Sequence, residues 1–181
     1  MEDSEKTRKL QIKIASLERQ DIEELNTILI ANVRDETTGE VIFGEVETIE
    51  NYMGGGEDEY QRARKYLVAK DETGRVVGCA AYAEPDPDMV KHFNLEEAGR
   101  TIELLNMFVS SQVLGKGVGR KLFEAVCKAV RDLGKEQLVV NSGPRYKNSW
   151  GFYDRVCDQS CGFLTGKYGS GRDAKTWKKK L

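Results

Sequence analysis

The pattern of apolar and polar residues is clearest in residues 101–134, where it predicts a strand, a loop and a helix. After its leading threonine, the first third is apolar apart from Glu103 and Asn106. A run this short favours a mostly buried strand. In the last third, apolar residues recur at helical spacing with charged residues between them. Gly134 follows at the position of a helix-capping glycine. This stretch is the best-defined part of the predicted fold.

Further strands and helices are predicted on both sides of this stretch. The expected order is strand, two helices, three strands, helix, strand, helix and two strands, at residues 10–15, 21–33, 46–53, 66–70, 75–82, 101–109, 118–133, 137–141, 148–156, 163–168 and 175–181. Asn148 or Ser149 is the expected cap of the last, short helix. Residues 83–99 predict a long loop. The strand–helix–strand order after residue 100 requires a parallel strand pair with a right-handed crossover.

Composition narrows the possible function classes. The chain has 181 residues, which suits one domain, and we expect it to span residues 10–181 after a disordered segment at residues 1–9. With a formal net charge of −2, the protein has no excess of positive charge that would attract nucleic acid. No apolar run is long enough for a membrane span, and the first residues do not form a signal peptide. We therefore expect a cytoplasmic protein that binds neither nucleic acid nor membrane.

The cysteines and the single histidine do not indicate a metal site. Cys79 and Cys127 lie in apolar segments, where cysteine usually packs as a small hydrophobic residue. Cys157 and Cys161 have a spacing that matches common zinc sites poorly, and His92 is the only histidine. We expect reduced thiols and no bound metal. A disulfide between Cys157 and Cys161 remains an alternative.

The loop between the central strand and helix is rich in glycine. Gly115, Gly117 and Gly119 alternate with other residues directly before the helix. Glycines let the backbone approach a ligand closely, and the free amides of a first helical turn favour an anion such as phosphate. The loop lacks the Lys-Ser or Lys-Thr of a P-loop, and Arg120 stands where a dinucleotide motif requires glycine. A merely flexible turn is the alternative interpretation.

The same loop resembles motif A of the GCN5-related N-acetyltransferase (GNAT) superfamily, Q/R-x-x-G-x-G/A, with Gln112, Gly115 and Gly117 in its required places. The predicted order of strands and helices is also similar to that family over nearly the whole chain. The resemblance implies an α+β fold with a single GNAT domain. Its central mixed, mostly antiparallel sheet would splay between strands four and five and would be flanked by helices.

The resemblance also implies a binding site for acetyl-CoA as cosubstrate, without a metal. The glycine loop would hold the pyrophosphate, and a bulge in the fourth strand would pair with the pantetheine arm through the backbone. The binding residues implied in this way are Met107, Phe108, Val109, Gln112, Val113, Leu114, Gly115, Lys116, Gly117, Val118, Gly119, Arg120, Asn148 and Tyr153. The side chains of Phe108 and Val109 are expected to belong to the core.

Two residues are predicted to be catalytic. Tyr153 matches the tyrosine that many family members use as a general acid, and a phenol can protonate the leaving thiolate within hydrogen-bond reach. The alternative is a tyrosine that fills space on a short helix. Glu103 lies on the central strand, where an acid serves as base in some members, directly or through water. A structural ion pair is the alternative, and the pattern does not decide which face Glu103 occupies because a bulge would change the register.

The resemblance implies direct transfer of an acetyl group to a primary amine of a small molecule, peptide or protein, by a monomer or homodimer. A non-catalytic acyl-CoA sensor on the same fold is the alternative. Acidic residues flank the expected acceptor side, and they would attract a cationic acceptor unless they are ordinary loop charges. These residues are Asp35, Glu36, Asp86, Asp88, Glu96 and Glu97.

Overall fold

A computed structural model describes residues 10–95 and 98–181 of the chain. The disorder predicted for residues 1–9 and the acidic pair Glu96 and Glu97 therefore lie outside the described residues. The strands are β1 Lys13–Ser16, β2 Lys65–Lys70, β3 Val76–Ala83, β4 Thr101–Val109, β5 Gln137–Ser142, β6 Gln159–Leu164 and β7 Ala174–Lys180. The helices are α1 Asp21–Asn32, α2 Phe43–Met53, α3 Pro87–His92, α4 Val118–Asp132 and α5 Trp150–Val156.

The strands form one mixed sheet in the order β1-β2-β3-β4-β5-β7-β6. Only β4 and β5 run parallel, and α4 connects them as the crossover helix. All other neighbouring strands are antiparallel. This architecture confirms the α+β fold with a mixed, mostly antiparallel sheet and flanking helices that the sequence predicts.

The sheet splays at its centre because β4 and β5 pair over only part of their length. Thr101 to Leu104 pair with Gln137 to Val140, and no pairing with β5 follows from Leu105 onward. The β4 edge that faces β5 is therefore without a strand partner from Leu105 to Val109. Unpaired strand edges can bind an extended chain through backbone hydrogen bonds.

A bulge in β4 lies next to this opening. Cys79 on β3 faces Phe108, whereas Ala81 faces Leu105, so β4 has one residue more than β3 between these pairs. Asn106 takes a φ of +42°, which is uncommon for a residue other than glycine. Because of the bulge, Leu105 packs with the core on one face of the sheet and Met107 with the core on the other.

Helices cover both faces of the sheet, and each face has its own core. α1 and α2 contribute Leu25, Leu29 and Val46 to the first core. α4 contributes Leu122 and Val126 to the second, which also contains residues of α5. All five of these side chains are at most 2% exposed. The amphipathic pattern of α4 is thereby explained, since its apolar stripe faces the sheet.

Two predicted segments differ from the structure. The expected loop at residues 83–99 contains α3, whose first turn is capped by Asp86, with Pro87 as the first helical residue. The final strand pair begins earlier than predicted, because β6 starts at Gln159 and contains Gly162 in the left-handed region with a φ of +76°. That irregular strand obscured the alternating pattern. None of the described helices is long and apolar enough to cross a bilayer.

Candidate active site

A cavity of about 960 Å³ lies at the splay of the sheet. Its walls come from the second half of β4, the glycine loop, the start of α4, α5 and, on the opposite face of the sheet, α2 with residues 58–64. The cavity thus brings together residues that are far apart in the sequence. It connects the glycine loop on one face of the sheet with a polar cluster on the other.

The glycine loop leads directly into α4. Gly115 and Gly117 have φ values of +74° and +84°, and Gly117 is the residue before the first helical position. The amides of Val118, Gly119 and Arg120 form the first turn and have no acceptor within the helix. Gly117 has no side chain to cap them. These free amides border the cavity and, with the positive end of the helix dipole, can bind an anion.

Gly119 allows α4 to begin close to β4. A Cβ at this position would lie 3.4 Å from Met107 Cε and 3.7 Å from a ring carbon of Phe152. A larger side chain would push the helix start away from the strand. The absence of a side chain at Gly119 therefore keeps the first-turn amides close to the free edge of β4.

Most of the predicted binding residues line this one cavity. They are Met107, Phe108, Val109, Val113, Leu114, Gly115, Gly117, Val118, Gly119, Arg120, Asn148 and Tyr153. Gln112 and Lys116 are exposed and do not line it. Ser149 stands at the N-cap position of α5, one of the two positions predicted, but its side chain makes no capping hydrogen bond, and its hydroxyl donates to the Tyr146 carbonyl at 2.7 Å.

Tyr153 lies in the wall of the cavity on α5 and is only 7% exposed. Its ring packs against Trp177 with a centroid distance of 5.1 Å. Burial, together with nearby Cys157 and Tyr168, raises the pKa of Tyr153 above its ordinary value, so the phenol stays protonated at neutral pH. A proton donor with a rigid ring thus borders the cavity.

Glu103 also lines the cavity, but it is completely buried and firmly held. Its Oε2 accepts from Arg62 Nη1 at 2.9 Å and from the Asp86 amide at 3.1 Å. Its Oε1 accepts from Asn141 Nδ2 at 2.8 Å. Burial and the nearby Asp86 charge raise the pKa of Glu103, although Arg62 opposes this. Glu103 therefore holds a proton more tightly than an exposed glutamate does.

A cluster of arginines that was not predicted from the sequence lies beside Glu103. The Arg62 guanidinium joins Asp58 to Glu103, with Nη2 lying 2.7 Å from Asp58 Oδ2 and Nη1 lying 2.9 Å from Glu103 Oε2. Arg64 stacks on the Tyr52 ring with its guanidinium carbon 3.9 Å from the centroid, and it donates to Asn106. The signal was two arginines at alternate positions directly before a strand, which places both side chains on one face.

The loop between β6 and β7 closes one side of the same region. Lys167 Nζ lies 2.6 Å from Asp86 and 2.9 Å from Asp88. The Tyr168 hydroxyl donates to Asn141 Oδ1 at 2.6 Å, and Asn141 also contacts Glu103. Burial is the main factor that raises the pKa of the Tyr168 hydroxyl to about 12, so this hydroxyl remains protonated and can donate. No local pattern in the sequence pairs this distant loop with Glu103.

Four of the acidic residues of the expected acceptor side, Asp35, Glu36, Asp86 and Asp88, lie in the described part of the chain and contact protein partners. Asp86 and Asp88 pair with Lys167, and Glu36 lies 3.4 Å from Arg172. Asp35 accepts hydrogen bonds from the amides of Thr37 and Thr38, which mainly lower its pKa. The contacts of these four acids stabilise the segments in which they lie.

The cysteines and the histidine lie away from the cavity. Burial raises the pKa of Cys79 and Cys157 to about 12, and all four cysteines are free thiols. His92 Nε2 lies 2.9 Å from Thr176 Oγ1, so the ring fastens α3 to β7. Among the described residues, no three side chains of metal-binding type form a cluster that could hold an ion.

Comparisons with known proteins agree with this geometry. The sequence profile of the acetyltransferase (GNAT) family matches residues 30–158. A GNAT-family structure from Desulfovibrio desulfuricans has a TM-score of 0.70 and 19% identity, with 94% of this chain and 99% of that chain covered. The ribosomal-protein-alanine N-acetyltransferase of Brucella melitensis has a TM-score of 0.64 and 23% identity, with 93% of this chain and 99% of that chain covered.

A third similar structure, from Salmonella typhimurium, was solved with its cofactor acetyl-CoA. It has a TM-score of 0.63 and 18% identity, with 94% of each chain covered. A comparison with curated protein sequences found no match. The solved structures share the fold, and the family profile covers well over half of the sequence. The chain therefore belongs to the acetyltransferase (GNAT) family and is an acyl-CoA-dependent N-acyltransferase.

Proposed function

We propose that this protein transfers the acetyl group of acetyl-CoA directly to a primary amine. The observation that carries the proposal is the single cavity that joins the glycine loop, the free edge of β4, Tyr153 and Glu103. Direct transfer requires the coenzyme and the amine to be bound side by side, and a cavity lined by residues from both faces of a splayed sheet suits that arrangement. Acetyl-CoA supplies the acetyl group as a thioester.

The chain has residues suited to hold the coenzyme. The amides of the first turn of α4 would bind the pyrophosphate, with Gly115 and Gly117 leaving open space for it. The backbone of Met107, Phe108 and Val109 would pair with the amides of the pantetheine arm, because this edge lacks a strand partner. Both groups line the same cavity, so one extended molecule can reach them together.

Tyr153 would act as the general acid. The amine nitrogen forms a bond to the thioester carbonyl carbon, the carbon–sulfur bond breaks, and the sulfur needs a proton. Tyr153 lines the cavity, and its raised pKa keeps its hydroxyl protonated. A correctly placed acid contributes roughly 10²- to 10⁴-fold to a rate.

Glu103 would accept the proton that the amine loses, directly or through water. Its raised pKa makes it a stronger base than an exposed glutamate. Arg62, Asn141 and the Asp86 amide hold its carboxylate in one orientation. Because the carboxylate is completely buried, we favour transfer through a water molecule.

The test is release of free coenzyme A thiol from acetyl-CoA in the presence of a panel of primary amines. We expect thiol release that depends on the amine, together with the N-acetylated product in the mass spectrum. Incubation without amine is the control for simple hydrolysis. Binding of acetyl-CoA by calorimetry without thiol release for any primary amine would contradict the proposal and would favour the sensor function.

A further inference from the structure

The acceptor half of the cavity contains several charged side chains, and most of them are paired. Glu45 Oε2 lies 2.7 Å from Arg145 Nη1, and Lys167 Nζ forms ion pairs with both Asp86 and Asp88. Glu103 lies 2.9 Å from Arg62. These ion pairs connect separate loops and helices, so their charges are used within the protein. The pairing reduces the negative charge that these acids present to a cationic acceptor.

Asp58 is the most completely satisfied of these carboxylates. It accepts from the amides of Tyr60 and Arg62 at 3.0 and 3.1 Å and from Arg62 Nε at 2.9 Å. Arg62 Nη2 is a further contact at 2.7 Å. Arg64 reaches Asp58 only at 3.4 Å, so it is the weakest of the partners of this carboxylate.

Arg64 is held mainly by neutral groups. Its Nη1 donates to the Asn106 side-chain oxygen, which also accepts from the Tyr66 hydroxyl at 2.9 Å. Its guanidinium stacks on Tyr52. Its Nε is buried and has no hydrogen-bond partner in the described part of the chain. A buried donor without an acceptor is costly, and it points to a partner that binds there.

The geometry of the guanidinium specifies the kind of partner. Nε and Nη2 form one edge of the planar group, and this edge can donate two parallel hydrogen bonds to a carboxylate. In Arg64 this edge carries the unpartnered Nε and the long contact to Asp58. Because Nε is itself buried, a carboxylate would reach this edge only if the Arg64 or Tyr52 side chain moved.

We propose that the amine acceptor of this enzyme carries a carboxylate and that Arg64 binds it. The inference rests on the proposed acetyl transfer to an amine. Arg64 and Glu103 lie on the two sides of the Asp58–Arg62 ion pair, and both line the cavity. A compact amino acid can therefore place its carboxylate at Arg64 and its amine towards Glu103 and the thioester.

The experiment compares matched acceptors that differ only in the carboxylate. Rates of thiol release are measured with a series of amino acids and with their carboxamides, and each rate is expressed per unprotonated amine. Putrescine represents the cationic acceptors. We expect kcat/KM to be about 10- to 100-fold higher for the carboxylates than for the carboxamides, the effect of one charge-assisted pair.

Arg64→Gln should remove this preference, mainly through a higher KM for the carboxylates, and Arg64→Lys should retain part of it. The matched control is Arg75→Gln, because Arg75 is a surface arginine paired with Asp71 outside the cavity. Arg75→Gln should keep the full preference. The preference is a ratio between two substrates of one variant, so partial misfolding of that variant does not affect it.

The outcomes separate this inference from the proposed function. Amine-dependent thiol release with equal or greater activity on carboxamides or putrescine would overturn the carboxylate inference and leave acetyl transfer intact. A preference for carboxylates that persists in Arg64→Gln would overturn the role of Arg64. The absence of amine-dependent thiol release with every acceptor tested would refute both proposals.

Discussion

The Glu103 carboxylate and the Asn141 amide are joined by a hydrogen bond of 2.8 Å across β4 and β5. The two residues lie on either side of the place where these strands separate, since the last pair between the strands is Leu104 with Val140. Asn141 also accepts from Tyr168. One amide thus links the predicted base to the loop that closes the acceptor side.

Tyr153→Phe should lower kcat by about 100-fold and leave the affinity for acetyl-CoA nearly unchanged, because only the proton donor is lost. Steady-state kinetics and calorimetry measure the two quantities. Tyr82→Phe is the matched control, since Tyr82 is buried in the same core but does not line the cavity. An equal loss of turnover and affinity in Tyr153→Phe would instead make the hydroxyl a binding group.

Glu103→Gln should change the pH dependence of turnover. In the wild type, kcat should fall as the pH drops through the raised pKa of Glu103, because the protonated acid cannot accept a proton. The variant should lose this acidic limb and turn over about 100-fold more slowly. Glu84→Gln is the control, because Glu84 pairs with Lys135 outside the cavity. An unchanged pH–rate profile in Glu103→Gln would exclude the residue as the base.

Gly117→Ala should weaken the binding of acetyl-CoA, because a side chain would stand before the first-turn amides of α4. Gly134→Ala is a closely matched control at the other end of the same helix. The two glycines have φ values of +84° and +74°, and at both an added Cβ would meet no atom within 4 Å. Each alanine should destabilise the fold by about 1–2 kcal/mol through backbone strain.

Calorimetric titration with coenzyme A distinguishes the two glycine variants. Only Gly117→Ala should raise the dissociation constant, by about 10-fold for the loss of one hydrogen bond to a charged group. Thermal unfolding should show a similar loss of stability in both variants. A comparable loss of coenzyme affinity in Gly134→Ala would mean that the effect comes from destabilisation of α4 and not from the amide site.

Asp58→Asn should destabilise the protein by about 3 kcal/mol near neutral pH, because Arg62 and Arg64 would lose a buried anionic partner. Burial raises the pKa of Asp58, but the hydrogen bonds from Arg62 outweigh it, and the pKa is lowered. The stability that Asp58 provides is therefore present above its unfolded pKa of about 4 and lost as the pH falls through the lowered native value.

Urea unfolding of the wild type and Asp58→Asn at several pH values checks the direction of this pH dependence. The difference in unfolding free energy should be largest above about pH 5 and should shrink towards about pH 2. The exposed Glu57 provides the control, and Glu57→Gln should give no comparable pH-dependent difference. A difference that grows on acidification would show that the Asp58 pKa is raised in the native protein.

The parts of the fold that the sequence predicts well are those with strong local patterns. The strand, glycine loop and helix of residues 101–134 follow from periodicity, and the parallel pair follows from their order. Asp86 and Pro87 are residue types that often begin a helix, and they do begin α3, but this helix has only 6 residues. Such a short helix has too few turns for an apolar period to be visible.

The acceptor half of the cavity could not be predicted in the same way. Glu103, Arg62 and Asn141 come from three separate segments, and their contacts depend on how the strands are aligned. The orientation of Glu103 depends in addition on the position of the β4 bulge, which no local pattern marks. Glycine motifs are local, whereas this polar network is formed only by the tertiary structure.

The extra residue in β4 makes the length of this strand critical. Asn106 allows Leu105 and Met107 to fill opposite cores, where a regular strand would direct both to one side. Removing a single residue here would turn the C-terminal half of the strand over and send Phe108 and Val109 into each other's surroundings. Homologous enzymes should therefore tolerate substitutions at this bend far more readily than insertions or deletions.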